Sequence, residues 1–105
     1  MRITVSHNRK KEEVMQAVDQ SFNEMFQEVG ALPVRLVVEE RNWQGSTLSF
    51  ALAAKMGFIN TPIKGTIEVT DHDLTIDVDL GLLNRLVPEK TAREVIGNRI
   101  KGLLK

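Results

Sequence analysis

Residues 63–80 read IKGTIEVTDHDLTIDVDL. Ile63, Ile67 and Val69 share one parity, and Leu74, Ile76, Val78 and Leu80 share one after them. Alternation at a period of two places such a row on one face of a strand. Asp71-His72 fits a two-residue hairpin turn between the rows. With the turn there, Val69 meets Leu74, Ile67 meets Ile76 and Ile63 meets Leu80. Lys64 then opposes Asp79 on the outer face, a favourable cross-strand charge pair. This hairpin sets the inward face to which the rest of the chain must conform.

Two more alternating runs precede it. Leu48, Phe50, Leu52, Ala54, Met56 and Phe58 form one, and Val34, Leu36 and Val38 form another. Trp43-Gln44-Gly45 fits a three-residue loop, which pairs Val38 with Phe50 and Leu36 with Leu52. A four-residue loop over 59–62 pairs Phe58 with Ile63 and leaves Gly65 opposite Met56 and Val78. A one-residue slip would turn a whole row toward water, so agreement among three loops on one inward face predicts an antiparallel meander.

Helical periodicity flanks the meander. Val14, Val18, Phe22, Met25, Phe26 and Val29 recur every three or four residues, predicting a helix from about Arg9 to Val29. Ser6 or Asn8 is the expected cap, and Gly30 and Pro33 the stop. Near the C-terminus, Pro88 suits a first helical turn. Ala92, Val95, Ile96, Ile100, Leu103 and Leu104 make the next stripe, with Gly97 and Gly102 weakening it. Ile3 and Val5 mark a short first strand, placed beside the last. The expected fold is α+β and two-layer. It has an antiparallel sheet of about five strands with two helices on one face, in the order β-α-β-β-β-β-α.

Composition narrows the function. The 105 residues suit one domain, 1–105, able to bury a core without staples. Lys plus Arg equals Asp plus Glu at 14 each, so no basic field favours nucleic acid or an anionic membrane. Cysteine is absent, which excludes disulfides and thiolate metal sites and fits a reducing cytosol. The N-terminal MRITVSHNRKK reads as no signal peptide, and nothing later has the apolar length of a membrane span. A cytoplasmic protein is expected.

In a meander, strand direction alternates, so the 56–62 loop and the exit at Gly81 share one end. That end gathers Met56, Phe58, Ile59, Leu82, Leu83, Leu86 and Val87 as a candidate binding surface, with Leu32 nearby. The bland reading is that residues 82–87 fold back and cover the loop. The functional readings are an adhesive apolar patch, or the mouth of a pocket between sheet and helices.

Catalytic signals are weak. Asp71-His72-Asp73 reads as a turn, because neighbours in a tight turn seldom converge on one ion. Ser6-His7 lacks the setting of an activated nucleophile. Glu40 has inward phase near a strand end, and Trp43, at a loop tip, reads equally as a contact anchor or a lid. No phosphate loop or dinucleotide fingerprint occurs, so no cofactor, no metal and no catalytic residue is expected.

MRITVSHNRKKEEV and AKMGFINTPIKGTIEVTDHDLTIDVDLGLL resemble the polyhydroxyalkanoic acid system proteins, small proteins of the polyhydroxyalkanoate granule region. The resemblance spans nearly the whole chain. It implies a non-catalytic accessory role in bacterial polyhydroxyalkanoate metabolism, with the granule surface or a granule protein as partner. It implies no catalytic residues. A fainter likeness to helix-grip proteins implies the alternative, a binding module for a fatty-acyl or hydroxyacyl ligand. An enzyme using Glu40 or His7 is the third reading. A free edge on the Val34 strand leaves a homodimer open.

Overall fold

A computed structural model of the chain describes residues 1–27, 35–79 and 89–104, and leaves the side chains of 23–27, 92 and 95 undescribed. The elements are β1 (Arg2–Ser6), α1 (Lys11–Gln27), β2 (Arg35–Gln44), β3 (Thr47–Met56), β4 (Ile59–Val69), β5 (Asp73–Asp79) and α2 (Glu89–Leu103). The five strands form one antiparallel sheet in the order β1-β5-β4-β3-β2. The first strand does lie beside the last, and β2 forms the opposite edge. The expected α+β two-layer fold is the fold observed.

The core follows the predicted phase. Leu48, Phe50, Leu52 and Ala54 of β3 are buried, as are Ile63, Ile67 and Val69 of β4 and Leu74, Ile76 and Val78 of β5. From above, Val14, Val18 and Phe22 of α1 and Ile96 and Ile100 of α2 close over them. The Phe22 and Phe50 rings meet edge to face, centroids 5.2 Å apart at 66°. The β4–β5 hairpin has the predicted register, with Val69 on Leu74, Ile67 on Ile76 and Lys64 on Asp79. Its turn is pinned by the Thr70 hydroxyl. That oxygen accepts the Asp73 N–H at 2.9 Å, and the hydroxyl donates to the Asp73 carboxylate at 2.8 Å.

The other two hairpins are tighter than expected. Gly45-Ser46 joins β2 to β3, and Gly57-Phe58 joins β3 to β4. Gly45 has φ 61° and Gly57 φ 60°, and no non-glycine residue has positive φ among the described residues. A left-handed glycine at the first central position of a two-residue loop is the type II′ pattern. Ile63 therefore faces Leu52 rather than Phe58, a slip of six residues, and Leu52 faces Val38 rather than Leu36, a slip of two. Both slips are even, so the rows of β3 and β4, and Leu36 and Val38 of β2, keep their face; between the Gly45-Ser46 turn and a bulge in β2 the slip is three, which is odd. Asn60, Thr61 and Pro62 lie inside β4 rather than in a loop. Pro62 sits beyond the described pairing with β5 and opposite Ala53 of β3.

β2 departs further. A bulge between Val38 and Glu40 inserts one residue against β3. Past it, Arg41 stands opposite Phe50 and Trp43 opposite Leu48, on the helix side. Glu40 falls opposite Ala51 and is exposed on the outer face, contrary to its expected inward phase. Trp43 is within the strand, not at a loop tip. Both inward side chains grip Asp19 of α1. Trp43 Nε1–H donates to Asp19 Oδ1 at 3.0 Å, and Arg41 Nη2–H donates to the same carboxylate and to the Asp19 carbonyl. The guanidinium carbon also lies 5.1 Å from the centre of the Phe22 ring.

α1 starts at Lys11, and the Lys10 carbonyl accepts its first helical bond, from Val14. Lys10 thus takes the cap position expected for Ser6 or Asn8. Val29, Gly30, Pro33, Val34, Leu80 and Pro88 lie outside the described residues, as do the expected side-chain roles of Met25, Phe26, Ala92 and Val95.

Gly65 explains how Phe50 fits. It pairs with Phe50 and Val78, not Met56. A Cβ there would lie 2.7 Å from the Asp77 carbonyl oxygen and 2.7 Å from Phe50 Cζ. Replacing Gly65 with Ala is therefore expected to cost about 1–3 kcal/mol in urea unfolding, as overpacking does. The grip on Asp19 predicts a pH effect. The Trp43 hydrogen bond, opposed by desolvation and aided by the bond and charge of Arg41, holds its carboxyl below the ordinary 3.8. A depressed folded value contributes stability above the unfolded value, which is lost as pH falls through the folded one. Asp19→Asn should be less stable than the parent at neutral pH, and the gap between their melting temperatures should close below about pH 4.

Candidate apolar docking site

The β3–β4 hairpin ends in a turn that only Gly57 makes easy. A left-handed residue with a Cβ costs roughly 1–2 kcal/mol, and Gly57 avoids that cost. The next residue is then thrown to the outside of the bend. Phe58 is 100% exposed and Ile59, the first residue of β4, is 38% exposed. Met56 and Ile59 are cross-strand partners, so they share a face, and Met56 is partly buried. Among the described residues, Phe58 and Ile59 are the two exposed large hydrophobic side chains.

The structure therefore brings Met56, Phe58 and Ile59 together at one hairpin tip. Leu82, Leu83, Leu86 and Val87, the other four members of the expected surface, lie outside the described residues, and Leu32 with them. An exposed phenylalanine leaves its apolar surface in water, where transfer to an apolar phase is favourable by about 1.5–3 kcal/mol. A tip of this kind can adhere. It has no group that could act as acid, base or nucleophile.

Between the sheet and the helices the described residues are closely packed. Phe22, Leu52 and Ile96, which face that space, are packed in the core at 2% exposure or less. The described residues also form an open groove of about 590 Å³ on the outer face. Its rim includes Glu40, Asn42, Gln44, Lys64, Asp77 and Asp79, a polar set unlike the wall of a lipid pocket.

At the other end, His7 is 6% exposed and fully engaged. Its Nε2–H donates to the Thr70 carbonyl at 2.8 Å, and its Nδ1 accepts the Arg9 N–H at 3.2 Å. Those two partners fix the tautomer. The His7 N–H also donates to the His72 carbonyl at 2.9 Å, so His7 ties the end of β1 to the β4–β5 turn. The Asp73 carboxylate is taken up by Thr70 in the same turn. Among the described residues, no three potential ligands stand together as a metal site. No helix is long and apolar enough to cross a membrane among those residues.

The tip should be separable from the core by mutation. Phe58→Ala should leave thermal stability within about 0.5 kcal/mol of the parent, as an exposed substitution does. Phe22→Ala, which empties a buried site, should cost about 3–5 kcal/mol in the same denaturation series.

Comparison with curated proteins and with solved structures finds no match to the chain. Comparison with protein families matches residues 1–104 to the family described as "Putative polyhydroxyalkanoic acid system protein". With all but its last residue covered, the chain belongs to the polyhydroxyalkanoic acid system protein family.

Proposed function

We propose that the protein is a non-catalytic accessory component of bacterial polyhydroxyalkanoate metabolism, cytoplasmic, that associates with storage granules through the β3–β4 hairpin tip. The observation that carries this reading is the complete exposure of Phe58 beside the exposed Ile59. A monomer gains nothing from that placement, whereas contact with an apolar surface would remove both side chains from water. Family membership supplies the biochemical setting, and a polyester granule is an apolar body in water.

The non-catalytic part rests on what the titratable candidates do. Both His7 ring nitrogens are spent on backbone groups. Glu40 stands on the outer face of β2, at the sheet edge opposite β1. Four interstrand steps of about 4.8 Å separate those edges by roughly 19 Å, too far for one substrate atom to meet both groups.

Co-sedimentation of purified protein with native granules tests the reading. Phe58→Ala/Ile59→Ala should keep the parent's circular dichroism and melting temperature yet lower granule association roughly 10- to 100-fold, the loss of one or two buried apolar side chains. Undiminished association of that variant would remove the tip from the docking role.

A further inference from the structure

The register places an unusual row of charge immediately behind the apolar tip. Arg35, at the start of β2, stands directly opposite Lys55 on β3, and Lys55 stands opposite Asn60 on β4. Arg35 and Lys55 are both exposed. Directly opposed side chains sit about 4.5–5.5 Å apart at Cβ, and like charges there are destabilising. The other described cross-strand pairs avoid this arrangement. Arg2 opposes Asp77 and Lys64 opposes Asp79, each pair of opposite sign. Among the described residues, no carboxylate bonds to Arg35 or Lys55. Glu40, the carboxylate exposed on the outer face of β2, is five residues along from Arg35, roughly 16 Å of strand.

A cation pair to which no carboxylate bonds among the described residues, next to a protruding Phe-Ile tip, has a natural counterpart. We infer that the tip docks on an anionic lipid surface, Phe58 and Ile59 entering the acyl boundary while Arg35 and Lys55 meet the headgroup charge. This rests on the reading above that the tip is the docking element, and adds the chemistry of what it touches. The dimensions agree. The Arg35–Lys55 row lies two residues back from Gly57, roughly 7 Å of strand, and interfacial apolar groups enter about 5–10 Å. Long cationic side chains reach back to the headgroups from that depth. The zero net charge of the chain does not oppose this, because attraction to a surface is set by the charges within a screening length, about 10 Å at moderate salt. Each basic residue near an anionic surface contributes about a 5-fold gain, so the pair gives roughly 30-fold.

The experiment is sedimentation with sucrose-loaded vesicles at high lipid concentration, phosphatidylcholine alone against an equimolar mixture with phosphatidylglycerol. The parent protein should partition roughly 30-fold better onto the anionic vesicles, less so as salt rises. Arg35→Gln/Lys55→Gln should lose that preference without losing thermal stability, since it relieves a like-charge contact. Phe58→Ala should weaken binding to both compositions. Equal partition onto the two compositions, no partition onto either, or an unchanged preference in the double glutamine variant would each overturn the inference. The granule assay keeps the two proposals apart. Loss of granule binding with Phe58→Ala but not with Arg35→Gln/Lys55→Gln leaves tip docking standing and points to an uncharged apolar surface. Granule binding that survives Phe58→Ala removes the docking role itself.

Discussion

Everything in this fold depends on the parity of side chains along β3, β4 and β5. Three strands each present an apolar row, that of β4 interrupted at Thr61 and Gly65, and the rows coincide because each hairpin turn returns the chain with its phase preserved. Parity is a stronger constraint than register. A slip of an even number of residues changes which side chains meet but leaves each one on its face. A slip of an odd number would carry Phe50, Ile67 and Ile76 into water together, at a cost no loop could offset. This is why a chain can be read with two hairpins misaligned and still yield the right layers. The core is specified by which residues point inward, and the loops only select among the alignments that parity allows.

Phe50 shows how that loose specification becomes a unique structure. The register that places it on Gly65 gives its ring the one position on β4 with no Cβ beneath it. The ring then lies edge-on to Phe22 and fixes α1 over the centre of the sheet. In any other even alignment Phe50 would meet a residue with a side chain. Gly65 therefore selects the register that parity leaves open, and it does so by steric exclusion rather than by attraction. The same contact carries the second layer, since Phe22 also receives the Arg41 guanidinium on its face.

The legible part of the sequence was the part governed by periodicity. The alternation from Leu48 to Val78 located the strands and their inward face, and the spacing of Val14, Val18 and Phe22 located the buried face of α1. The Asp71-His72 turn was legible because two apolar rows bracket it symmetrically. Two features were not. In AKMGFINTPIKG the polar Asn60-Thr61-Pro62 resembles a turn more than Gly57-Phe58 does. The left-handed Gly57 prevails because a two-residue II′ turn matches the twist of the strands it joins. The bulge at Glu39 had no periodic signal at all, since EERNW is polar on both phases. One inserted residue reversed Glu40, Arg41 and Trp43, which made an inward carboxylate an outward one and a presumed loop tryptophan a partner of Asp19. Of the candidate surface, the grouping of Met56, Phe58 and Ile59 was legible in their hydrophobicity alone. The cations beside them were invisible until register placed Arg35, twenty residues away in sequence, opposite Lys55.

That last point bears on how charge should be read in a small domain. A balanced sequence of 14 cations and 14 anions argues against a broad field, and composition can say no more. Antiparallel pairing then distributes those charges unevenly. On the outer face it matches Arg2 with Asp77 and Lys64 with Asp79, so their fields cancel within a few ångströms, while Arg35 and Lys55 reinforce each other at the end of the sheet. Opposed cations cost stability in the free protein, and the cost disappears against an anionic surface. A contact that is unfavourable in one state and relieved in another is a bias toward the second state, whatever the total charge. Placed beside an exposed aromatic on a glycine turn, the Arg35–Lys55 pair couples electrostatic attraction to apolar burial through the β2–β3–β4 pairing, so the two effects act on the same encounter.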